Sequence, residues 1–456
     1  MERFAVDMII PAEDSGDGAR LPALLLDRLR LPADKAVALR CGMQRIRTRL
    51  RVDRRLPPDK VRIPASLAGR LGLRGGVRMG IWSEGGATLA FGPLIGCMVS
   101  RQMLRDMEAG DAVTDFLHMA SAAREIGVLL IFFHSGDIHW EQAEVRGRWI
   151  NPRRGRFSRL EAGRFPLPRV ILYPSGLGSG PDPHRLETRA RTAGCTILAH
   201  RHIRKLEAFD ILRRVPAVRR YLPYTAPLTP ATLRRAMEAY DDLYLKPDDL
   251  SRGRGVHRLT RQGARGWLLT HRGTTGNVDR TLPDPGAVRE AVAPLLRARS
   301  PYLIQEGLPL ATFLGNRFDV RVLVQKNGRG RWTVSGIAAR LAPIGSAITS
   351  PRSGGLVAPP QQVLGYSFPG RADAVVREVR QAALSIAEAI DAALGPRYEL
   401  GIDLGVLRDG SVRLIEVNGR PLTVSLQRLR DPFAAERIGR YPVHYAAWLD
   451  AGGDRR

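Results

Sequence analysis

Apolar and polar positions follow one another along this chain in three successive patterns. Continuous apolar runs at Gly127–Phe133, Val170–Tyr173 and Thr196–Ala199 predict buried strands, and the amphipathic stretch Thr114–Ile126 predicts a helix before the first of them. Beyond residue 200 the pattern predicts helices from Arg204 and Lys205 toward Leu212 and from Thr229 to Tyr240, broken by Leu222-Pro223-Tyr224-Thr225. Strands are predicted at Leu243–Lys246, Tyr302–Gln305, Phe318–Gln325, Trp332–Arg340, Glu399–Leu407 and Val412–Val417. Val376, Val379, Ala383, Ile386 and Ile390 recur at three- and four-residue steps, which is one buried helix face. Before residue 100 the runs are short and punctuated by Gly75-Gly76 and Glu84-Gly85-Gly86, with a strand start at Val61–Pro64 and a helical turn over Leu67–Leu73. The chain thus divides into a small β-rich domain (1–100), an α/β region (101–200) and an α+β domain (201–456), with a Gly/Ser/Pro linker over Gly176–Pro183.

Composition narrows the class. The 456 residues are 44% hydrophobic and 25% charged, which excludes wholesale disorder, and no apolar run approaches the ~20 residues that span a bilayer. Glu2 and Asp7 precede any apolar stretch, which is not a signal-peptide layout, and three scattered cysteines form neither a disulfide framework nor a zinc site. The expectation is a cytoplasmic, reduced protein with no membrane partner.

Charge is lopsided: 71 Lys plus Arg against 45 Asp plus Glu gives +26. Only five of the basic residues are lysine, so each lysine is informative where a single arginine is not. The densest basic stretch, 146–169, reads as a surface loop flanked by Trp140 and Trp149, suited to an acidic partner or a nucleic acid.

Candidate chemistry concentrates late in the chain. Asp403 on one strand, and Glu416 and Asn418 two apart on the next, are set in apolar surroundings and joined by the Asp409-Gly410 turn. Two carboxylates and an amide oxygen make a hard donor set suited to Mg²⁺ on nucleotide phosphates. Lys246 ends an apolar strand, and Ser251, Gly253 and Gly255 follow in a loop whose backbone can approach phosphate oxygens. Gln305 and Glu306 end another strand, offering backbone groups to an adenine edge and a carboxylate to ribose hydroxyls. Asp319 and Arg321 share a strand face where Arg321 grips a phosphate or carboxylate with Asp319 orienting it, and Arg340 adds a second cation. Each of these pairs is equally an ion pair tying two strands. The nine histidines show no metal-ligand spacing, and no general base stands out.

The order of these motifs resembles the ATP-grasp superfamily, and within it the YheC/YheD-type endospore coat-associated proteins. The resemblance runs from about residue 90 to the end, through Phe91-Gly92-Pro93-Leu94-Ile95-Gly96, Leu222–Thr225, Leu245-Lys246-Pro247, Phe318-Asp319-Val320-Arg321, Gly354-Gly355, Gly401-Ile402-Asp403, Glu416-Val417-Asn418 and Tyr441–Ala446. It implies an ATP-grasp fold, two α+β lobes holding ATP, preceded by an α/β pre-ATP-grasp region and the small β-rich domain. It implies Mg²⁺ (or Mn²⁺) at Asp403, Glu416 and Asn418, with Lys246 and, by position, Lys205 on the ATP phosphates. Three departures stand out: Leu250 where glycine is usual, Pro421-Leu422 where Pro-Gly is expected, and Thr349-Ser350-Pro351 where many relatives have Thr-Asn.

Three functions follow as expectations. The first is a ligase joining an unidentified carboxylate to an amine through an acylphosphate, linked to endospore coat formation. The second is a spore coat-associated structural protein that binds nucleotide without turnover, with coat components as partners. The third is a polyanion- or nucleic-acid-binding protein acting through 146–169.

Overall fold

The computed structural model describes residues 3–11, 18–110, 114–150, 160–174, 182–250, 253–273, 276–343, 349 and 354–453. They form two compact units. The first comprises Met1–His200, Lys326–Arg331 and Ala435–Arg456; the second comprises Arg201–Gln325 and Trp332–Ala434.

The first unit opens with a closed barrel. Its strands are β1 (Phe4–Ile9), β2 (Ala19–Leu21), β3 (Ala36–Cys41), β4 (Gln44–Val52), β5 (Lys60–Arg62), β6 (Arg78–Glu84) and β7 (Thr88–Gly92). They close in the order β1-β5-β2-β4-β3-β7-β6, which leaves no free edge. Period-two patterning drives this: in β4, Ile46 and Leu50 point into the core while Arg45, Arg47 and Arg49 point out. A cis peptide at Gly92–Pro93 then leads to β8 (Leu94–Met98).

Strand β8 pairs in parallel with β9 (Leu129–Phe133) on one side and β13 (Val170–Tyr173) on the other, and β13 pairs with β14 (Thr196–Ala199). Parallel strands covered on both faces need apolar side chains at every position, which is why these segments are unbroken hydrophobic runs. Gly96 belongs to this packing: a Cβ there would stand 2.7 Å from a ring carbon of Phe133.

The basic stretch 146–169 is not a loop over its described part. It contains β11 (Glu144–Ile150) and β12 (Leu160–Pro166), an antiparallel pair, beside the short β10 (Ile138–His139). Val145, Gly147 and Trp149 turn inward, so the alternating arginines face out from a strand. Trp149 is buried and cannot serve a surface ligand. Arg148 pairs with Glu108, and Arg169 donates to the Asp450 carbonyl at 3.1 Å. Arg153, Arg154, Arg156 and Arg159, like most of the Gly176–Pro183 linker, lie outside the described residues.

The second unit holds two sheets. One runs β15 (Thr225–Pro227), β20 (Tyr302–Glu306), β16 (Asp242–Pro247), β17 (His257–Arg261), β18 (Trp267–Arg272) and β19 (Asn277–Leu282). Leu243, Leu245, Leu259 and Ile304 cover one face, packed with Leu233, Ala236, Val288 and Val292 from helices Pro230–Ala239 and Pro285–Leu296. Each of these helices starts on a side-chain cap followed by proline: Thr229 accepts from the Thr232 N–H and Asp284 from the Ala287 N–H. The other sheet runs β24 (Leu356–Ala358), β23 (Trp332–Leu341), β22 (Asn316–Lys326), β25 (Glu399–Val406) and β26 (Val412–Asn418), with the short β21 (Thr312–Phe313) on β22. Val379, Ala383, Ile386 and Ile390 of helix Ala372–Leu394 form the buried stripe behind it, as the spacing predicts. Among the described residues no helix is long and apolar enough to cross a membrane.

Candidate active site

Strands β25 and β26 pair Asp403 with Glu416 and Gly401 with Asn418, across a register irregularity after Asp403. That register puts the three side chains together. Asn418 Nδ2 donates to Glu416 Oε1 at 3.0 Å and approaches Asp403 Oδ2 at 3.5 Å. Ile402, Leu404, Leu414 and Val417, one residue away on either strand, point to the helix-covered core.

Strand β22 brings Arg321 directly opposite Asp403. Its Nη2 donates to Asp403 Oδ2 at 3.0 Å, and its Nε lies 2.5 Å from Oδ1. Gly401 leaves room for this guanidinium: a Cβ there would sit 2.8 Å from Arg321 Nη1. Asp319 does not orient Arg321. It holds Arg340 of the neighbouring strand bidentately, both contacts at 2.6 Å, and Arg340 Nη2 also reaches Asp403 Oδ2 at 3.0 Å. The reason is lateral: Asp403 lies across from Arg321 in the ladder, and the long side chain of Arg340 reaches from β23 to both Asp319 oxygens. Burial works against the Arg340 charge, but Asp319 and Asp403 raise its pKa beyond the ordinary arginine value.

Lys246 projects from β16 on the other sheet. Its Nζ donates to Gln305 Oε1 at 2.5 Å and lies 5.2 Å from the Tyr244 ring centroid. Gln305 is buried and also donates to Thr225 Oγ1 at 3.0 Å, so its side chain fixes the lysine. At this strand end the Glu306 N–H donates to the Tyr224 carbonyl and the Gly307 N–H to the Asp242 carbonyl. β20 lies between two partners, β15 and β16, so its ladder is filled on both sides. The Glu306 side chain faces Tyr240 and helps raise that phenol's pKa, after burial.

Lys205 begins helix Lys205–Leu212, and its ammonium rests on backbone carbonyls of Pro247 (3.0 Å), Asp248 (3.5 Å) and Leu250 (2.5 Å). These carbonyls lead into the glycine loop. Gly253 and Gly255 both adopt positive φ, and a Cβ on Gly255 would meet Pro247 and Tyr302 at 2.9 Å; Ser251 lies outside the described residues. Sequence reasoning missed Asp248. It is buried, its Oδ1 accepts from the Leu206 N–H at 2.8 Å, and it joins the helix start to the end of β16. It missed Gly419 as well, where a Cβ would stand 2.1 Å from the Arg201 carbonyl oxygen.

These groups share one field. Burial pushes Lys246 down to about 8, with Lys205 adding to the shift and Glu416, Asp403 and Asp319 opposing it. Burial alone would raise the Glu416 carboxyl; Lys205, the hydrogen bond from Asn418, Arg321 and Lys246 overcome it and hold the group at about 2. Burial pushes Asp403 up to about 6, helped by Glu416 and Asp319 and opposed by Arg321 and Arg340. Lys205, Lys246, Arg321 and Arg340 therefore face Asp319, Asp403 and Glu416, four cations to three carboxylates. Such a surface suits an anionic ligand.

The donor set also fits a hard divalent cation. Asp403 Oδ1 is buried and makes no hydrogen bond despite its close contact with Arg321 Nε, which is likewise left without one. Glu416 brings further carboxylate oxygens beside it, and Asn418, whose Nδ2 faces both carboxylates, offers its amide oxygen on a turn of the side-chain amide. Among the described residues no group of three or more His, Cys, Asp or Glu could hold a metal, so the third donor here is an amide.

The chain is similar to several known proteins. Endospore coat-associated protein YheD of Bacillus subtilis is 26% identical over 356 residues, covering 73% of this chain and 74% of the relative. YheC of the same organism is 26% identical over 149 residues, 32% of this chain and 40% of its own. Among solved structures, D-cycloserine synthetase DcsG has a TM-score of 0.44 at 14% identity, covering 77% of this chain and 99% of that one. D-alanyl-alanine synthetase A from Vibrio cholerae has 0.42 at 12%, covering 79% and 97%. The model of the YheC/D-like ATP-grasp family matches residues 194–449, the stretch that carries every side chain of the site, and the chain belongs to that family.

Proposed function

We propose that the protein is an ATP-dependent ligase that activates a carboxylate as an acylphosphate and passes the acyl group to an amine. The observation that carries this reading is the convergence of Asp403, Glu416 and Asn418 with Lys246 and Lys205 in one field. In this reading residues 201–456 hold nucleotide, 101–200 form the pre-ATP-grasp region and 1–100 the β-rich domain.

Asp403, Glu416 and Asn418 would hold Mg²⁺ or Mn²⁺, which when bound screens charge on the phosphate oxygens. Lys246 and Lys205 exchange their present acceptors for phosphate oxygens, with Gly253 and Gly255 adding backbone N–H groups and Ser251 a hydroxyl. Glu306 bonds the ribose. Arg340, fixed by Asp319, and Arg321 stabilise charge on the carboxylate as its oxygen attacks the γ-phosphorus and the bond to ADP breaks. The amine then attacks the acyl carbon, loses a proton, and phosphate departs.

A binding-only role is the second reading. It is favoured by the salt bridges that commit Arg321 and Arg340 to Asp403 and Asp319, and by the departures at Leu250 and Pro421-Leu422. In both readings we place coat components among its partners, by analogy with the printed name of YheD.

The test is thermal unfolding with Mg-ATP. The wild-type midpoint rises with ligand, whereas Glu416→Ala and Asn418→Ala lose that rise; protection retained in both variants overturns the site. ADP formation with a mixed pool of acids and amines separates the ligase from the binding-only protein.

A further inference from the structure

Two histidines that the nucleotide reading does not use meet on the first sheet of the second unit. The hairpin register sets His257 of β17 directly opposite His271 of β18. Their ring centroids lie 5.1 Å apart, with the planes at 34°. The row continues across the sheet from buried Leu245 of β16, opposite His257, to Val278 of β19, opposite His271. Leu245 belongs to the helix-covered face, and strand alternation turns its neighbour Lys246 to the other one. The pair is therefore on the opposite side of the sheet from the nucleotide site.

Packing alone does not account for two imidazoles here. The next pair along the same face is Leu259 and Leu269, which fills the core with apolar surface. His257 instead brings a polar ring, and its Nδ1 is buried without a hydrogen-bond partner. Native interiors rarely leave such an atom uncompensated. Burial, and after it His271, push the His257 imidazole down to about 4, so at neutral pH it carries a free lone pair rather than a charge. Tyr302 closes a third side: its ring centroid lies 6.2 Å from that of His257, and a Cβ on Gly255 would stand 2.9 Å from its hydroxyl.

We propose that His257 and His271 together bind one divalent transition-metal ion of the zinc class across the β17–β18 hairpin, with water completing its shell. Two imidazoles on one tetrahedral ion, at metal–nitrogen distances of about 2.0–2.1 Å, stand with ring centres roughly 5 Å apart, which is the separation of this pair. The ion takes the lone pair that His257 Nδ1 leaves unused. Imidazole donors select zinc, nickel or copper over magnesium, which prefers oxygen. Two protein ligands fall short of a closed structural site, in keeping with the absence among the described residues of any larger His, Cys, Asp or Glu group. Bound there, the ion pins the hairpin at the foot of the loop that carries Gly253 and Gly255. This proposal is independent of the Asp403, Glu416 and Asn418 site.

The experiment titrates Zn²⁺ into the untagged full chain by calorimetry, with excess Mg²⁺ present to fill the carboxylate site. The wild type takes up one equivalent, and its melting midpoint rises with zinc. His257→Gln and His271→Gln each weaken that uptake roughly a hundredfold, the upper end of what losing even a supporting contact to a ligand costs. A control, His139→Gln/His184→Gln, replaces exposed histidines of the first unit and keeps the wild-type affinity. Cu²⁺ bound to the wild type shows paramagnetic-resonance coupling to two nitrogens. Metal-free melts verify that each variant folds, and where neither does the copper spectrum decides. The proposal is overturned if the wild type takes up no stoichiometric zinc, if Mg²⁺ displaces it, or if copper couples to fewer than two nitrogens. It is overturned equally if a folded single variant keeps the wild-type affinity or the control loses as much.

Discussion

Lys246 sits where burial and charge pull in opposite directions, and burial wins. Its folded pKa of about 8 lies below the ordinary lysine value, so between roughly pH 8 and 10.4 the unfolded chain binds a proton that the folded chain does not. Stability contributed by this residue therefore rises as pH rises through that window, and the full cost of its charge is present below it. Lys246→Met removes that rise, which the difference between wild-type and variant unfolding free energies from pH 7 to 10.5 measures. Glu416 acts at the other end: held at about 2, it contributes stability above the ordinary glutamate pKa that is lost as pH falls toward 2. At this scale the sequence made the acids legible, because strand alternation fixes the common face of Glu416 and Asn418 and the apolar flanks of Asp403 mark a covered strand. Asp248 and the Gln305 side chain were not legible. Their partners Leu206 and Thr225 are far away in the chain, and no local pattern ties them together.

Between elements, the tightest joint is the one where the chain entering helix Lys205–Leu212 crosses the end of β26. Only glycine fits at position 419, 2.1 Å short of the Arg201 carbonyl and 2.8 Å from Ile203 as a Cβ would stand. Gly419→Val pushes those segments apart, at a cost of about 1–3 kcal/mol by the usual overpacking penalty. Because it shifts Lys205 relative to Glu416, it also removes protection by Mg-ATP, which melts with and without ligand separate from simple destabilisation. Elements with long apolar runs or a clear helical stripe were readable in advance: β9, β13, β16, β22, β25, β26 and helix Ala372–Leu394. Strands β17, β18 and β19 were not, since β19 exposes five of its six residues and gives no hydrophobic signal. The β11–β12 pair was hidden by its arginines and glycines, whose loop-like composition masked an alternation carried by Val145, Gly147 and Trp149.

For the whole molecule the dominant quantity is its formal charge of +26. Self-repulsion of that size is screened over about 10 Å at 0.1 M salt, so the melting midpoint rises between 10 and 150 mM sodium chloride in scanning calorimetry. A protein stabilised mainly by its surface ion pairs would move the other way. Chain order adds a constraint of its own. In the second large sheet β22 pairs with β25, which is synthesised only after β23, β24 and the long helix have all been made. A nascent chain on the ribosome therefore displays an eleven-residue strand, with Phe318, Val320, Val322, Leu323 and Val324 in it, one flank bare until Glu399–Val406 emerges. Such a flank templates association between chains, so products cut short before that point are the ones expected to clump or to occupy chaperones, whatever ligand is supplied.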